Sequence, residues 1–321
     1  MVRAASTWCD VLQNTCGRLG GIEAQFGAKT MLFVEQVQSS MTKPYLPPYF
    51  SDSVAAKAGW PIGLAHRGAD TQRENTMSAV RDAVDLGFNY IEVDVQASAD
   101  GKVVVFHDDQ LDRITTGRGK ISQYTWQQLT KLKVLGPQPR NEQVGEPLVL
   151  MEELLRAFPT TRFNVDLKDL ASAAPMVELL RRTAAWDRVL IASFRDSHRR
   201  EFFAQIRRTD PVVASSGGVE TIAKLLMAHH LGILTSVVRL LRKNLPLHAI
   251  QVPIRQGPIR VVTKRFVAAC HRAGIAVHVW VVNDQDQMRR LLAIGVDGLV
   301  TDNGPGLAEV LEARDQWPQS P

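Results

Sequence analysis

From Pro61 onward the chain repeats one pattern: short apolar runs bounded by turn residues alternate with longer segments of helical period. Alternation of this kind is the signature of βα units, which lay their strands parallel. The strands are expected at Ile62–Ala65, Tyr90–Val95, Arg162–Leu167, Val189–Ala192, Pro211–Ala214, Ala249–Val252, Ala276–Trp280 and Gly298–Thr301. Helices are expected at Thr76–Leu86, Met151–Phe158, Ala173–Ala184, Ser197–Arg207, Val219–Ala228 (continuing near Ile233–Arg242), Thr263–Arg272, Asp284–Ala293 and Pro305–Ala313. Gly87, Gly274 and Gly295 follow helices as C-terminal stops. Eight strands and eight helices make an α/β chain of the (β/α)8 TIM-barrel kind, over residues 61–315.

Two stretches fall outside the rhythm. Residues 103–147 hold one short strand, Val103–Phe106, then a Gly-rich excursion and a Pro-rich piece at Gly136–Arg140. That is too long for an ordinary loop and reads as a functional insertion at a barrel mouth. Residues 1–60 form an N-terminal extension of unreadable role, with a short amphipathic helix expected around Gly21–Gln38.

Composition narrows the class. With 321 residues, 45% hydrophobic and 22% charged, the chain can bury one large core. Only three Cys (9, 16 and 270) exclude a disulfide scaffold and fit a reducing compartment. The net charge of +5 is mild, and Arg pairs such as Arg181–Arg182 fall on helices. They read as solvated faces rather than a nucleic-acid surface, while staying compatible with anionic lipid or a phosphate-bearing substrate. Met1–Ala28 lacks a secretory h-region, and Ile222–Leu241 is broken by Lys224, His229, His230 and Arg239, so it does not read as a membrane span. The expectation is a cytoplasmic protein, with peripheral membrane contact left open.

Polar residues cluster at the C-terminal ends of the expected strands, which should otherwise be apolar on both faces. Glu92 and Asp94 share one face by the period of two, as do Asn164, Asp166 and Lys168. In a barrel that face is the interior, and the C-terminal rim is where chemistry sits. Three converging carboxylates (Glu92, Asp94, Asp166) repel one another unless a cation compensates them. With no converging Cys, a hard ion, Ca²⁺ or Mg²⁺, suits them better than zinc. His66 and His107 join the cluster, and with Arg67 they suit phosphoryl transfer: metal and Arg neutralise phosphate oxygens, the imidazoles act as base and acid. Lys168 suits either a carboxylate pair or a phosphate contact, and Trp280 either barrel packing or a substrate wall. His271 and His278 read as structural.

The ordered set His66-Arg67-Gly68, Glu74-Asn75-Thr76, Glu92-Val93-Asp94, Phe106-His107-Asp108, Leu111-Asp112-Arg113 and Thr116-Gly117-Arg118-Gly119 resembles the glycerophosphodiester phosphodiesterase family. The resemblance continues through Asn164-Val165-Asp166-Leu167-Lys168, Val279-Trp280-Val281-Val282-Asn283 and Gly295-Val296-Asp297-Gly298 to Thr301-Asp302. It implies a TIM barrel with a small insertion after the second strand, hydrolysing glycerophosphodiesters to an alcohol and glycerol 3-phosphate. It further implies that Glu92, Asp94 and Asp166 bind the metal, that His66 and His107 are the acid–base pair, and that Arg67 and Lys168 contact phosphate. Glu74 would sit in the same site, and Trp280 would line the substrate pocket. Three positions depart from the family pattern: Asp166 where Glu is common, Arg73 where Pro is usual, and Val281 after Trp280 where Thr is frequent. None removes a group the chemistry needs.

The chemistry expected is attack by the glycerol hydroxyl next to the phosphodiester, which gains from proximity and passes through a cyclic phosphate. Two alternatives use the same barrel: a phosphodiesterase acting on lysophospholipid or sphingomyelin, and a catalytically silent phosphodiester- or membrane-binding domain. An apolar rim drawn from Ile121, Tyr124, Trp126, Leu129, Leu132 and Leu135 would favour the lipid substrate.

Overall fold

The computed structural model describes residues 47–136 and 145–317. The helix expected around 21–38, Cys9, Cys16 and most of the Pro-rich piece at 136–140 lie outside the described residues. Two short helices, α1 (Pro48–Ser51) and α2 (Val54–Ala58), precede β1 (Ile62–His66), α3 (Met77–Asp85) and β2 (Tyr90–Ala97). The insertion follows as β3 (Val103–Val105), α4 (Trp126–Leu129), β4 (Lys133–Val134), β5 (Glu146–Pro147) and β6 (Val149–Leu150), leading into α5 (Met151–Ala157). Next come β7 (Arg162–Leu167), α6 (Ala173–Thr183), β8 (Val189–Ala192), α7 (Asp196–Ala204) and β9 (Ala214–Gly217). Helices α8 (Val219–His230) and α9 (Leu234–Arg242) carry the chain to β10 (Ala249–Val252). A small hairpin, β11 (Arg255–Gln256) and β12 (Ile259–Arg260), precedes α10 (Lys264–Arg272) and β13 (Ala276–Val279). The series ends with α11 (Gln285–Ala293), β14 (Gly298–Thr301) and α12 (Gly304–Glu312).

Eight strands pair in parallel in the order β1-β14-β13-β10-β9-β8-β7-β2, and β2 pairs back onto β1, closing the ring. Side chains alternate strictly across the wall. Ile91, Val93, Val165, Ile191, Ile250 and Leu299 point outward into the helix-covered core, while Leu64, Tyr90, Leu190, Ala249 and Val300 point inward. The helices begin where capping chemistry allows: Thr76, Thr263, Asp284 and Asn303 each accept a backbone N–H of the following first turn. Gly87, Gly274 and Gly295 lie at positive φ just beyond α3, α10 and α11, as helix stops require.

The N-terminal end of the barrel is plugged by α1 and α2. Tyr49 is fully buried there, and the Tyr90 hydroxyl donates to the Tyr49 carbonyl at 3.0 Å. At the other end, β3 pairs antiparallel with the last residues of β2, and β6 with β3. This lobe has its own core of Val104, Phe106, Leu111, Ile114, Ile121 and Leu129.

One possibility loses its support and one expectation fails. Ile121 and Leu129 are wholly buried in the lobe's core, with Tyr124, Trp126 and Leu132 half-buried against it, so these residues hold the lobe together and do not form an exposed apolar rim. The fifth barrel strand is Ala214–Gly217, not Pro211–Ala214. Its sequence, Ala-Ser-Ser-Gly, is too small and polar to signal a strand, and the apolar signal comes from Val212, which is exposed. Among the described residues, no helix is long and apolar enough to cross a membrane.

Candidate active site

The loop leaving β1 is wound tightly. Arg67 (φ 53°), Gly68 (φ 89°) and Ala69 (φ 56°) are all left-handed, as is Asn75 (φ 63°). Such conformations cost roughly 1–3 kcal/mol per non-Gly residue and persist only where the surroundings enforce them. Here they do. Arg67 N–H donates to the Glu92 carbonyl (2.9 Å), Asn75 N–H to the Arg67 carbonyl (2.9 Å), and a Cβ on Gly68 would lie 2.7 Å from the Ala79 backbone. The winding delivers His66, Arg67, Glu74 and Asn75 to one place.

His66 ends β1 with Nδ1 2.6 Å from Asp302 Oδ1 and Nε2 3.8 Å from Glu92 Oε2. Asp302 is itself fixed by Asn283, whose Nδ2 donates to Asp302 Oδ2 at 3.0 Å and whose Oδ1 accepts from Asp302 N–H at 2.9 Å. Burial pulls the His66 imidazolium down, but the bond to Asp302 and the charge of Glu92 outweigh it, so its pKa lies above the ordinary value. His107, just after β3, repeats the arrangement: its Nδ1 is 2.7 Å from Asp108 Oδ1. Asp108 is held down at about 2. Burial opposes this, and the hydrogen bonds from His107 and Arg113 prevail.

Arg113 ties the lobe to the barrel. It pairs with Asp108 and, through Nη2, with Glu74, which accepts from Arg67 Nη1 at 3.2 Å. Arg67 Nε in turn lies 3.0 Å from Asp94 Oδ2, and Asn75 Nδ2 donates to that same oxygen at 3.0 Å. Lys168 Nζ bridges Asp94 Oδ1 (2.7 Å) and Asp166 Oδ2 (2.6 Å). Burial pushes Glu92 up to about 7, with the Asp94 charge adding to it. Asp94 goes the other way, because Lys168 and Arg67 overcome its burial and hold it well below the carboxylate range.

His66, Arg67, Glu92, Asp94, His107, Asp166, Lys168 and Trp280 line one pocket of about 140 Å³. Of the residues expected from the sequence, Glu74 alone is off the lining, with its oxygens taken by Arg67 and Arg113 behind the pocket. Lys168 is paired with carboxylates and also lines the pocket, so both of its expected contacts stay open to it. Trp280 packs edge-to-face on Phe194, with ring centroids 5.4 Å apart. His271 pairs with Asp297 away from the pocket, and His278 is buried inside the barrel.

The carboxylates come together differently from the sequence expectation. Among the described residues, no group of three or more His, Cys, Asp or Glu is arranged to hold a metal ion. The Lys168 ammonium, two residues beyond Asp166 on the same strand face, reaches back between Asp166 and Asp94 and neutralises them. The donor set still suits a hard cation: every candidate ligand is a carboxylate oxygen, and buried Asp166 Oδ1 has no hydrogen-bond partner among the described residues.

A family model, the glycerophosphoryl diester phosphodiesterase family, matches residues 66–304, from the end of β1 to the start of α12 and including every residue of this pocket. The chain belongs to that family. Membership makes it a phosphoric diester hydrolase. A probable glycerophosphodiester phosphodiesterase 2 of Mycobacterium tuberculosis is 36% identical over 261 residues, covering 81% of this chain and 94% of that one. Among solved structures, a putative glycerophosphoryl diester phosphodiesterase of Silicibacter pomeroyi superposes with a TM-score of 0.62 at 20% identity, covering 79% of this chain and 94% of that one. An Oleispira antarctica phosphodiesterase, solved in complex with the product sn-glycerol-3-phosphate, gives 0.61 at 20% identity, with coverage of 80% and 98%.

Against this family frame, several residues of the site escaped the sequence reading. Asp302, Asp108, Arg113 and Asn75 were visible within the motifs but carried no assigned role. Gln251, a polar residue facing into the barrel from an apolar strand, could have been found by the same period-of-two rule that found Asp94. Phe194 sits in a loop with no signal of its own.

Proposed function

We propose that this chain hydrolyses glycerophosphodiesters to an alcohol and glycerol 3-phosphate, with His66 and His107 as the acid–base pair. The observation that carries the reading is their matched setting: two imidazoles line one pocket, each held at Nδ1 by a carboxylate that leaves Nε2 for proton transfer. Between them Arg67 and Lys168 supply positive charge for the non-bridging phosphate oxygens. One imidazole accepts the proton of the glycerol hydroxyl next to the phosphodiester as that oxygen bonds to phosphorus. The other protonates the departing alkoxide. The cyclic phosphate then opens to water with the two roles reversed.

Glu92, Asp94 and Asp166 are the residues that would hold a divalent cation, Ca²⁺ or Mg²⁺, and such an ion adds charge stabilisation for the phosphate. Glu74 positions Arg67. Support for glycerol substrates over lysolipids comes from the burial of Ile121 and Leu129 in the lobe's own core.

The test is release of glycerol 3-phosphate from glycerophosphocholine by the purified protein. His66→Ala and His107→Ala are each expected to lower the rate by at least roughly a hundredfold, and EDTA to abolish turnover until Ca²⁺ or Mg²⁺ is restored. Full activity in either variant removes that residue from the mechanism, and turnover indifferent to EDTA removes the cation.

A further inference from the structure

The chain's positive charge is concentrated in one sector. Residues 221–283 contain nine of the 38 Lys and Arg and none of the 33 Asp and Glu, so the rest of the chain, 29 basic against 33 acidic, is net negative. This stretch forms the body of α8, then α9, β10, the β11–β12 hairpin, α10 and β13. Its three helices pack against one another. The His229 ring on α8 meets Phe266 of α10 edge-on, with centroids 5.4 Å apart. Arg242, at the end of α9, donates to the Ala273 and Gly274 carbonyls just past α10, at 3.1 and 2.8 Å.

Cations elsewhere in the molecule, such as Arg67, Arg73, Arg181 and Arg199, sit against carboxylates. None of the nine here forms an ion pair with a described residue, and all but Arg242 are exposed. Acids at the border of the sector are already engaged. Asp297 accepts from Val277 N–H (2.7 Å) and lies 2.8 Å from His271 Nε2, Glu220 faces Arg200 (3.7 Å), and Asp286 pairs with Arg289 (2.9 Å). The resulting field is felt at His229, whose pKa is lowered by burial and then by the charges of His230, Arg272 and Arg265.

Large apolar side chains stand among these cations. Leu231, in the turn between α8 and α9, is 69% exposed, and Leu240 on α9 is 59% exposed, the two highest values for large apolar groups among the described residues. Helix α9 buries Leu234 and Val238, and its outer side presents Arg239 and Leu240, with Lys243 just beyond. A single exposed Leu is ordinary. Exposed leucines bracketed by unpaired cations are the composition of a surface that lies in a membrane interface, where the leucines enter the acyl boundary and the cations meet headgroup phosphates. A nucleic-acid backbone would draw on the cations alone and leave the leucines in water.

We propose that the outer side of α8, α9 and α10 docks on an anionic phospholipid bilayer, with Leu231 and Leu240 entering the interface and Arg239, Lys243 and Arg265 on the headgroups. The proposal stands apart from the diesterase reading, since none of these residues lines the catalytic pocket.

The experiment is co-sedimentation with vesicles of phosphatidylglycerol mixed with phosphatidylcholine, and with vesicles of phosphatidylcholine alone, in about 0.1 M salt. The protein is expected to bind the first and leave the second. The triple variant Arg239→Gln, Lys243→Gln, Arg265→Gln should weaken binding about a hundredfold, since each basic side chain near an anionic surface contributes roughly fivefold. The double variant Leu231→Ser, Leu240→Ser should weaken it about tenfold and abolish the part that survives in about 1 M salt. A control of equal charge, Arg81→Gln, Arg156→Gln, Arg314→Gln, lies on α3, on α5 and beyond α12 and should bind like the parent chain. Circular dichroism and thermal unfolding of each variant are expected to match the parent, because every replaced side chain is exposed. Equal binding to the two vesicle types, no binding to either, or an equal loss in the control overturns the proposal. Leucine variants that bind like the parent also overturn it. Tighter binding to duplex DNA than to the mixed vesicles makes the sector a nucleic-acid surface instead.

Discussion

Asp302 governs what His66 can do. A carboxylate on Nδ1 fixes the tautomer and stabilises the imidazolium that forms when Nε2 takes a proton. Asp302→Asn keeps the shape but can donate to Nδ1 and so hold the wrong tautomer. It is expected to lower kcat on glycerophosphocholine by about a hundredfold or more while changing KM little. Steady-state kinetics decide this, and a loss confined to KM would make Asp302 a substrate contact instead. Much of the site was legible at this scale because ionisable residues inside buried strands are costly and stand out, as Glu92, Asp94 and Asp166 do. Residues that act through another residue did not stand out. Asp302 and Asp108 lie beside backbone turns, where an acidic residue is unremarkable, and their importance depends on a partner 236 residues away in one case and one residue away in the other.

Strands reveal themselves through the face that meets the helices. β2, β7 and β14 were readable because Ile91, Val93, Val165 and Leu299 give a continuous apolar edge. β9 was not, because its helix-facing positions are Ser215 and Gly217, which give no apolar edge, and its inward pair, Ala214 and Ser216, is small. Small residues inside the barrel are set by their neighbours across it. Gly298 on β14 faces inward against β1 and β13, and a Cβ there would lie 2.8 Å from Ile62 Cγ1 and 2.9 Å from His278 Cδ2. Gly298→Ala is therefore expected to destabilise the fold by about 1–3 kcal/mol, the usual cost of overpacking. Thermal unfolding would register this as a drop of several degrees. An unchanged melting temperature would mean that the strands can spread without cost.

At the scale of the whole molecule, two buried histidines away from the pocket lose stability in acid. Burial drives the His278 pKa down to about 4, against the opposing charge of Asp297. His248 is also lowered to about 4, by burial and then by the charges of Arg242 and Arg199, and its Nδ1 must stay unprotonated to accept from Ser215 N–H at 3.1 Å. An unfolded histidine binds its proton near pH 6.5, before either of these does. Between about pH 6.5 and 4 the unfolded chain thus carries more protons at these two sites, and their contribution falls as pH falls, by up to about 1.4 kcal/mol per pH unit for each group. Above pH 7 the full contribution is present. In denaturant midpoints measured from pH 7 to 4.5 this loss is set against the opposite contribution of Glu92 and His66, whose folded-state pKa values are raised, so the midpoint of His278→Phe should rise relative to that of the parent chain as pH falls. Identical slopes in the two proteins would place the acid sensitivity elsewhere.

The ring is sealed where β1 meets β14, and His66 and Asp302 sit on the two sides of that seam. The imidazole belongs to the first stave to leave the ribosome and its carboxylate follows the last, so a nascent chain holds an unarmed His66 until the cylinder is shut. Turnover is then an assay of topological completion. On the mechanism proposed above, a half-assembled barrel exposes Arg67 without the carboxylate partner of His66 and stays chemically quiet.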